Sequence, residues 1–393
     1  MSKKDRLSGN EAVAIAIRQI DPDVIAAFPI TPSTEIPQYV SSFLANGQMT
    51  TEFITVESEH SAMSACIGAQ AAGVRAMTAT SSAGMALMYE MLYVAASDRV
   101  PIVMAAVNRA LTGPININAD HSDSMGARDS GWLQLFSENA QEAYDNMLMA
   151  HRIAEDPRVM LPLMVCQDGF ITSHAVATVE REDDDKVKAF VGEYHPKKYL
   201  LNPAESCAVG PYGISAYYME CKKAQFEAMK NAKQVVREVS AVFEKTFGRH
   251  YDLIEEYCME DAEYAVVLMS SSAGTGKAAI HQMRRQGKKV GLVKIRSFRP
   301  FPGEEIAAAV KTVKALGIMD KADSCNALCG PLGAEVRCAM MENGVVSPRT
   351  VNYIYGLGGR DVRVETFEEI FAELESAANG APVQSCRYIG ERG

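Results

Sequence analysis

The sequence predicts an α/β protein made of two parallel-sheet units in series, and three observations carry that expectation. Short apolar runs alternate with helix-compatible segments through the first half of the 393-residue chain. A second alternation of the same kind begins at Ala262, after a long helical stretch. The turns that follow the apolar runs are rich in Gly, Pro, Ser and Thr, as strand-to-helix connections are.

Taken in order, Asn10 is placed to cap a first helix bearing Val13, Ile17 and Ile20 on one stripe. Val24 to Phe28 reads as a buried strand. The segment Phe28-Pro29-Ile30-Thr31-Pro32 ends it, because two prolines forbid regular hydrogen bonding. Thr31 is thereby displayed at the carboxyl end of a strand, where ligands bind in open α/β sheets. Residues 59–73 are small and suit a helix packed closely on a sheet. Ala76 to Thr80 is a strand, followed by a Ser81-Ser82-Ala83-Gly84 turn and a helix carrying Met85, Met88 and Met91 at core spacing. Pro101 to Val107 is the next strand.

Around 182–213 the pattern gives way to charge, proline and glycine. Ser215 to Phe247 then reads as a long helix with Val235, Val236, Val239, Val242 and Phe243 on one apolar stripe. Unbroken, it would run roughly 50 Å at 1.5 Å per residue, a length suited to bridging domains or docking a partner. In the second unit Ala265 to Met269 and Val290 to Ile295 are strands. Ser270 to Gly276 is a small-residue turn, with a helix from Lys277. Val313 to Met319, Gly330 to Met341 and Val351 to Tyr355 complete the alternation. The expected domains are 1–258 and 259–393.

Composition narrows the function classes. Hydrophobic residues are 48% and charged residues 22%, ordinary for a soluble globular chain. A net charge of −10 argues against a nucleic-acid-binding surface. No run of about 18 apolar residues is present, so no membrane span is expected, and the amphipathic start lacks an apolar signal core. The nine cysteines are odd in number, scattered and never spaced C-x2-C, which fits a reducing cytoplasm. Cys325, Cys329 and Cys338 read as small buried packing residues rather than cluster or zinc ligands. No metal site is expected in this chain. Gly274-Thr275-Gly276-Lys277 fails as a phosphate loop, since Ser271 stands where its first glycine belongs and Ala278 replaces the magnesium-binding hydroxyl. No G-x-G-x-x-G follows the first strand, against a dinucleotide-binding dehydrogenase.

Three side chains stand out at expected strand ends. Arg109 follows the apolar strand and suits bidentate pairing with a substrate carboxylate, with a structural ion pair as the alternative. Thr31 offers one hydroxyl. Glu59, in Val56-Glu57-Ser58-Glu59-His60, is either a helix-start carboxylate favoured by the dipole or an acid poised against a ring nitrogen. Local sequence leaves Glu57, Glu59 and His60 all open for that role. Asp120-His121-Ser122-Asp123 suggests metal ligands or, better, a loop organised by Asx and Ser hydrogen bonds. His174 reads as a satisfied loop histidine.

Six ordered segments carry a resemblance across essentially the whole chain. They are Phe28-Pro29-Ile30-Thr31-Pro32-Ser33-Thr34, Val56-Glu57-Ser58-Glu59-His60, Asn108-Arg109-Ala110-Leu111, Asp120-His121-Ser122-Asp123-Ser124-Met125, Arg299-Pro300-Phe301-Pro302 and Gly356-Leu357-Gly358-Gly359-Arg360-Asp361. Together they resemble the α subunits of the multi-subunit pyruvate:ferredoxin oxidoreductases, or pyruvate synthases, of the 2-oxoacid:ferredoxin oxidoreductase family. The resemblance implies a thiamine-diphosphate pyrimidine-type domain followed by a transketolase C-terminal-like α/β domain. It implies thiamine diphosphate shared with a β subunit that holds the diphosphate and Mg2+. Two smaller chains, a γ subunit and a ferredoxin-like δ subunit, would supply a CoA-binding surface and ferredoxin-like clusters, with 4Fe-4S clusters held in partner subunits and none in this chain. The implied reaction converts pyruvate and CoA to acetyl-CoA and CO2, with electrons passed to ferredoxin.

The family's motif places its catalytic glutamate at Glu59, against the aminopyrimidine ring. It gives Arg109 and Thr31 the substrate carboxylate and keto oxygen, and Pro29 the pyrimidine contact. A charged residue replaces Thr31 in oxalate-specific relatives. The 2-oxoglutarate type usually carries Gly-Pro-Ser soon after the arginine, where Ala110-Leu111-Thr112 stands here. Branched-chain 2-oxoacid (2-oxoisovalerate) oxidoreductases share nearly all the motifs and are the alternative, as is a non-catalytic docking subunit. The segment Asp323 to Gly333 departs from the expected glycine pattern.

Overall fold

The apolar runs assemble into two stacked α/β units in the computed structural model, which describes residues 2–392. The first sheet has seven strands in the spatial order Ser297–Arg299, Leu133–Ser137, Leu163–Asp168, Val103–Asn108, Ala76–Thr80, Val24–Ala27 and Glu52–Thr55. Its pairings are parallel except that of Ser297–Arg299, which crosses over from the second unit and runs antiparallel to Leu133–Ser137. The second sheet orders Cys386–Tyr388, Arg349–Ile354, Ala315–Asp320, Tyr264–Met269, Val290–Ile295 and Ile254–Tyr257, with the last antiparallel. Lys3–Leu7 pairs with Ala177–Arg181 as a separate ribbon.

The central strands are buried on both faces, hence their continuous apolar runs. One core lies under the first sheet, where the helix Ala140–Ala154 packs against Gly9–Ile20 and the long helix Tyr218–Phe247. A second core is continuous across both units and includes Met104, Trp132, Phe136, Phe298, Val293 and Val336. A third fills the outer face of the second sheet.

Several expectations shift. The first helix, Gly9–Ile20, is capped by Ser8 through a capping box with Glu11. Asn10 is instead wholly buried, and its Nδ2 donates to the Pro32 carbonyl at 2.9 Å and to Glu35 at 3.0 Å. Ser82 and Ser272 already open helices, so both expected small-residue turns are shorter than read. In the long helix Val242 is 40% exposed and leaves the buried stripe. Lys233 and Arg237 on that helix pair with Glu305 of the helix Gly303–Val310, so it does bridge the two units. Cys325 and Cys338 are exposed and Cys329 is half-buried, which corrects the reading of the three as core packing. Lys277 Nζ sits 2.7 Å from both Glu138 and Glu255, an ion pair where a phosphate loop would have held its ligand.

A buried ionic cluster locks the units together. Asp168, at the end of Leu163–Asp168, meets Lys321 Nζ at 2.8 Å and His121 Nε2 at 2.8 Å, and accepts from the Ser271 hydroxyl. Burial pushes the Asp168 carboxyl up, but Lys321 and His121 outweigh it and hold the group well below the usual carboxylate range. Because the folded value lies below the unfolded one, this stabilisation is complete above about pH 4 and is lost as pH falls through the depressed value. Asp168→Asn leaves Lys321 buried without its counter-charge. It is expected to cost about 3–5 kcal/mol, measured by denaturant unfolding. The gap from wild type should narrow as pH drops below about 4; a gap under about 1 kcal/mol at pH 7 contradicts the assignment.

Candidate active site

The strand ends bring Pro29, Thr31, Glu59 and Arg109 to the carboxyl edge of the first sheet. The Thr31 turn is fixed from three directions. Asn10 donates to the Pro32 carbonyl at 2.9 Å, Ser33 N–H closes on the Ile30 carbonyl at 2.9 Å, and Arg109 Nη1 donates to the Thr31 carbonyl at 3.0 Å. Pro32 is also packed so closely on Gly169 that a Cβ there would lie 2.6 Å from Pro32 Cγ. The Thr31 side chain is exposed, and its hydroxyl has no protein hydrogen bond among the described residues.

Arg109 is 6% exposed. Its Nε donates to the Asn116 carbonyl at 2.9 Å and its Nη1 to Thr31, while Nη2 has no protein acceptor among the described residues. No carboxylate there lies within ion-pair distance of it. A guanidinium withdrawn from water without a counter-charge is costly, so this arrangement suits an incoming anion, and no ion pair among the described residues holds Arg109.

Glu59 opens the helix Glu59–Ala72, which Ser58 caps by accepting from Ser61 N–H at 3.2 Å. The Glu59 side chain is buried at 5% exposure, with no hydrogen bond or ion pair among the described residues. Glu57 differs in both respects: it is exposed and accepts from the Ser61 hydroxyl. The two carboxylates of Val56-Glu57-Ser58-Glu59-His60 are therefore separated by geometry. Beside Glu59 lies Gly84, where an added Cβ would stand 2.5 Å from Glu59 Oε1 and 2.5 Å from Thr80 Oγ1. The Thr80 hydroxyl is itself buried without a partner among the described residues. An unpaired carboxyl and an unpaired hydroxyl, with glycine between them, fit a polar heterocycle edge.

One carboxylate ties these pieces together. Asp123 accepts from the backbone N–H of Ser82 at 3.0 Å and of Arg109 at 2.9 Å, and from Asn108 Nδ2 at 2.8 Å. It thus joins the ends of Ala76–Thr80 and Val103–Asn108. Burial pushes its carboxyl up to about 6, against those donors, which pull it down. Asp120 accepts from Ser122 N–H at 3.0 Å and His121 turns to Asp168, so this loop is organised by hydrogen bonds as expected. His174 is a satisfied loop histidine, with Nδ1 2.7 Å from the Ser173 hydroxyl. Asp123, Thr80 and Gly84 have no local signal for these roles, although each lies in a segment that the sequence marks out: the Asp120–Asp123 loop, the strand ending at Thr80 and the turn that follows it.

Among the described residues, Glu138, Glu142 and Glu255 are the one group of His, Cys, Asp or Glu whose ligand atoms lie near enough together to share an ion. Lys294 Nζ fills it, 2.9 Å from Glu138 and 2.7 Å from Glu255 and also bonded to Glu142. No described helix is long and apolar enough to cross a membrane.

A strand-edge site on a parallel sheet, followed by a second α/β unit, is an arrangement many α/β enzymes share, and the family match identifies the thiamine-diphosphate-binding class. The family described as pyruvate flavodoxin/ferredoxin oxidoreductase, thiamine diphosphate-binding, matches residues 15–241. Pyruvate:ferredoxin oxidoreductase core domain II matches residues 262–367. The chain belongs to the pyruvate:ferredoxin oxidoreductase family. It is 50% identical to the pyruvate synthase subunit PorA of Thermotoga maritima, over 98% of this chain and 97% of that one. The Pyrococcus furiosus PorA is 48% identical over 98% of this chain and 97% of its own length. The ketoisovalerate oxidoreductase subunit VorA of Pyrococcus abyssi is 42% identical, over 95% of this chain and 93% of its own. The fold is shared with a Magnetococcus marinus 2-oxoglutarate:ferredoxin oxidoreductase solved with 2-oxoglutarate, coenzyme A and succinyl-CoA bound. That match has a TM-score of 0.74 at 20% identity over 94% of this chain, which spans 65% of that chain.

Gly84→Ala tests the crowding at Glu59. The helix gains about 1 kcal/mol of propensity, offsetting much of a crowding cost on the order of 1–3 kcal/mol. Stability should therefore change little. Displacing the carboxyl is expected to cut turnover of the assembled enzyme roughly tenfold or more, in a steady-state assay. Unchanged turnover would mean that the carboxyl is not needed where it stands.

Proposed function

We propose that this chain is the α-type subunit of a multi-subunit oxidoreductase that converts pyruvate and CoA to acetyl-CoA and CO2 and passes two electrons to ferredoxin. The observation that carries the reading is Arg109: buried and, among the described residues, without a counter-charge and with Nη2 unengaged beside the displayed Thr31. Identity of 50% and 48% with the Thermotoga maritima and Pyrococcus furiosus pyruvate synthase subunits, against 42% with the ketoisovalerate relative, favours pyruvate over a branched-chain 2-oxoacid.

Thiamine diphosphate would lie with its pyrimidine end against Glu59 and Pro29, and when bound it supplies the carbon nucleophile and electron sink for decarboxylation. In this reading the Glu59 carboxyl holds a proton against the ring nitrogen, sheltered from water by its burial. Arg109 takes the substrate carboxylate, and its contact with the Thr31 carbonyl sets the distance between guanidinium and hydroxyl. Thr31 donates to the keto oxygen. The chain has no Gly-Asp-Gly with a downstream Asn, so a β subunit is assigned the diphosphate and Mg2+. In this reading the partner subunits, β, γ and ferredoxin-like δ, supply the CoA surface and the 4Fe-4S clusters. The scattered, unpaired cysteines support a cytoplasmic setting.

The test assembles the chain with its β, γ and δ partners, thiamine diphosphate and CoA, and follows pyruvate-dependent viologen reduction. Glu59→Gln is expected to lower kcat by several orders of magnitude, on the order of 10³-fold. Arg109→Ala should raise KM for pyruvate on the order of 100-fold. Near-wild-type rates for Glu59→Gln remove its assigned role. An unchanged KM for Arg109→Ala supports a docking subunit instead.

A further inference from the structure

The loop that positions Arg109 has almost no core of its own. It runs from Ala110 to His121, and most of its residues are exposed, Ile115 by 75%. What fixes it is a set of polar contacts, several of which come from the second unit. Within the loop, Ala110 N–H donates to the Asn118 carbonyl at 3.0 Å, and Asn118 N–H to Asn116 Oδ1 at 2.7 Å. Across the units, Asn116 Nδ2 donates to the Gly358 carbonyl at 3.1 Å, Gly359 N–H to the Ala119 carbonyl at 2.7 Å and Gly358 N–H to Asp120 Oδ2 at 3.2 Å.

The Gly356-Leu357-Gly358-Gly359 run has the shape this docking requires. Gly358 and Gly359 sit at φ +59° and +79°, the left-handed region that suits glycine. An added Cβ would stand 2.5 Å from Asn116 Nδ2 at Gly358 and 2.4 Å from Asn118 Cβ at Gly359. The backbone of one unit thus approaches the loop of the other as closely as atoms allow, and Asn116 lies at the contact.

Asn116 is also the residue whose carbonyl receives Arg109 Nε, at 2.9 Å. An arginine side chain has many rotamers, and here two anchors select one: the Asn116 carbonyl and the Thr31 carbonyl. We propose that Asn116 is a positioning residue through which the Gly356–Gly359 turn of the second unit aims the Arg109 guanidinium at the substrate carboxylate. This rests on the reading of Arg109 as the carboxylate-binding group. It gives the second unit a part in substrate binding although none of its own side chains need touch substrate.

The test uses the enzyme assembled with its partner subunits. Asn116→Ser keeps a short hydroxyl that can accept from Asn118 N–H, as Ser does in such turns, but cannot reach Gly358. Gly358→Ala drives a Cβ into Asn116 from the far side. Each is expected to raise KM for pyruvate about tenfold, the effect of loosening a hydrogen bond to a charged group. In both, kcat should hold within about twofold and KM for CoA should stay unchanged. The double variant should be no worse than the more severe single one. A fall in kcat with unchanged KM, or equal rises in KM for pyruvate and CoA, is what a merely structural role gives and overturns the proposal. If Asn116→Ser fails to assemble, Gly358→Ala decides alone: an unchanged KM for pyruvate overturns it. Arg109→Lys is the control on the underlying reading. If it leaves KM for pyruvate unchanged, the role of Arg109 itself falls; if it raises KM while both other variants do not, only the role of Asn116 falls.

Discussion

The Asp123 carboxylate is the point on which the site's geometry depends. It accepts backbone N–H groups from the residues that follow two adjacent parallel strands, Ser82 and Arg109, and it is wholly buried while doing so. Ser82 starts the short helix that presents Gly84 to Glu59. Arg109 begins the loop that the second unit clamps. The two halves of the proposed site, an acid for the cofactor ring and a guanidinium for the substrate, therefore share one support. Strand ends in a parallel sheet leave backbone donors without ladder partners, and a buried acid that collects them offsets its own desolvation.

The same economy recurs at the junction of the units. Asp168 closes the neighbouring strand and is paired with Lys321 and His121, while Asp320, beside Lys321, accepts from Leu332 and Gly333 N–H at 2.7 and 2.8 Å. Burial pushes Asp320 up to about 6, and a Cβ at Gly330 would stand 2.4 Å from its Cγ. The Asp323 to Gly333 segment therefore has its glycine requirement where the helix Pro331–Glu342 meets that acid. With a hydrophobic core running through both units, the second one acts as part of the scaffold of the first.

Much of this was legible in the residues. The apolar runs at Val24, Ala76, Ala265 and Val290 became strands because continuous apolar segments bounded by Pro, Gly and Ser leave few alternatives. Pro29, Thr31, Glu59 and Arg109 all lie at the sheet's carboxyl edge because each follows a strand. Other parts had no local signal. Leu133–Ser137 is a five-residue strand buried on both faces, too short for its period to separate strand from helix. Ser297–Arg299 is three residues long and joins a sheet built from another part of the chain. Asp168 and Lys321 are 153 positions apart, and such pairing is set by tertiary packing alone. Asn10 looked like a cap because Asn favours caps, but Ser8 took that place and freed Asn10 to hold the Thr31 turn.

The most direct measurement compares inhibition by a non-reactive carboxylate analogue of pyruvate with inhibition by its uncharged amide, in the assembled enzyme and in its Arg109→Ala form. If Arg109 lies buried and uncompensated to receive a carboxylate, the wild type prefers the charged analogue by about 100-fold and the variant loses that preference. The same preference in both proteins would contradict the account at its centre.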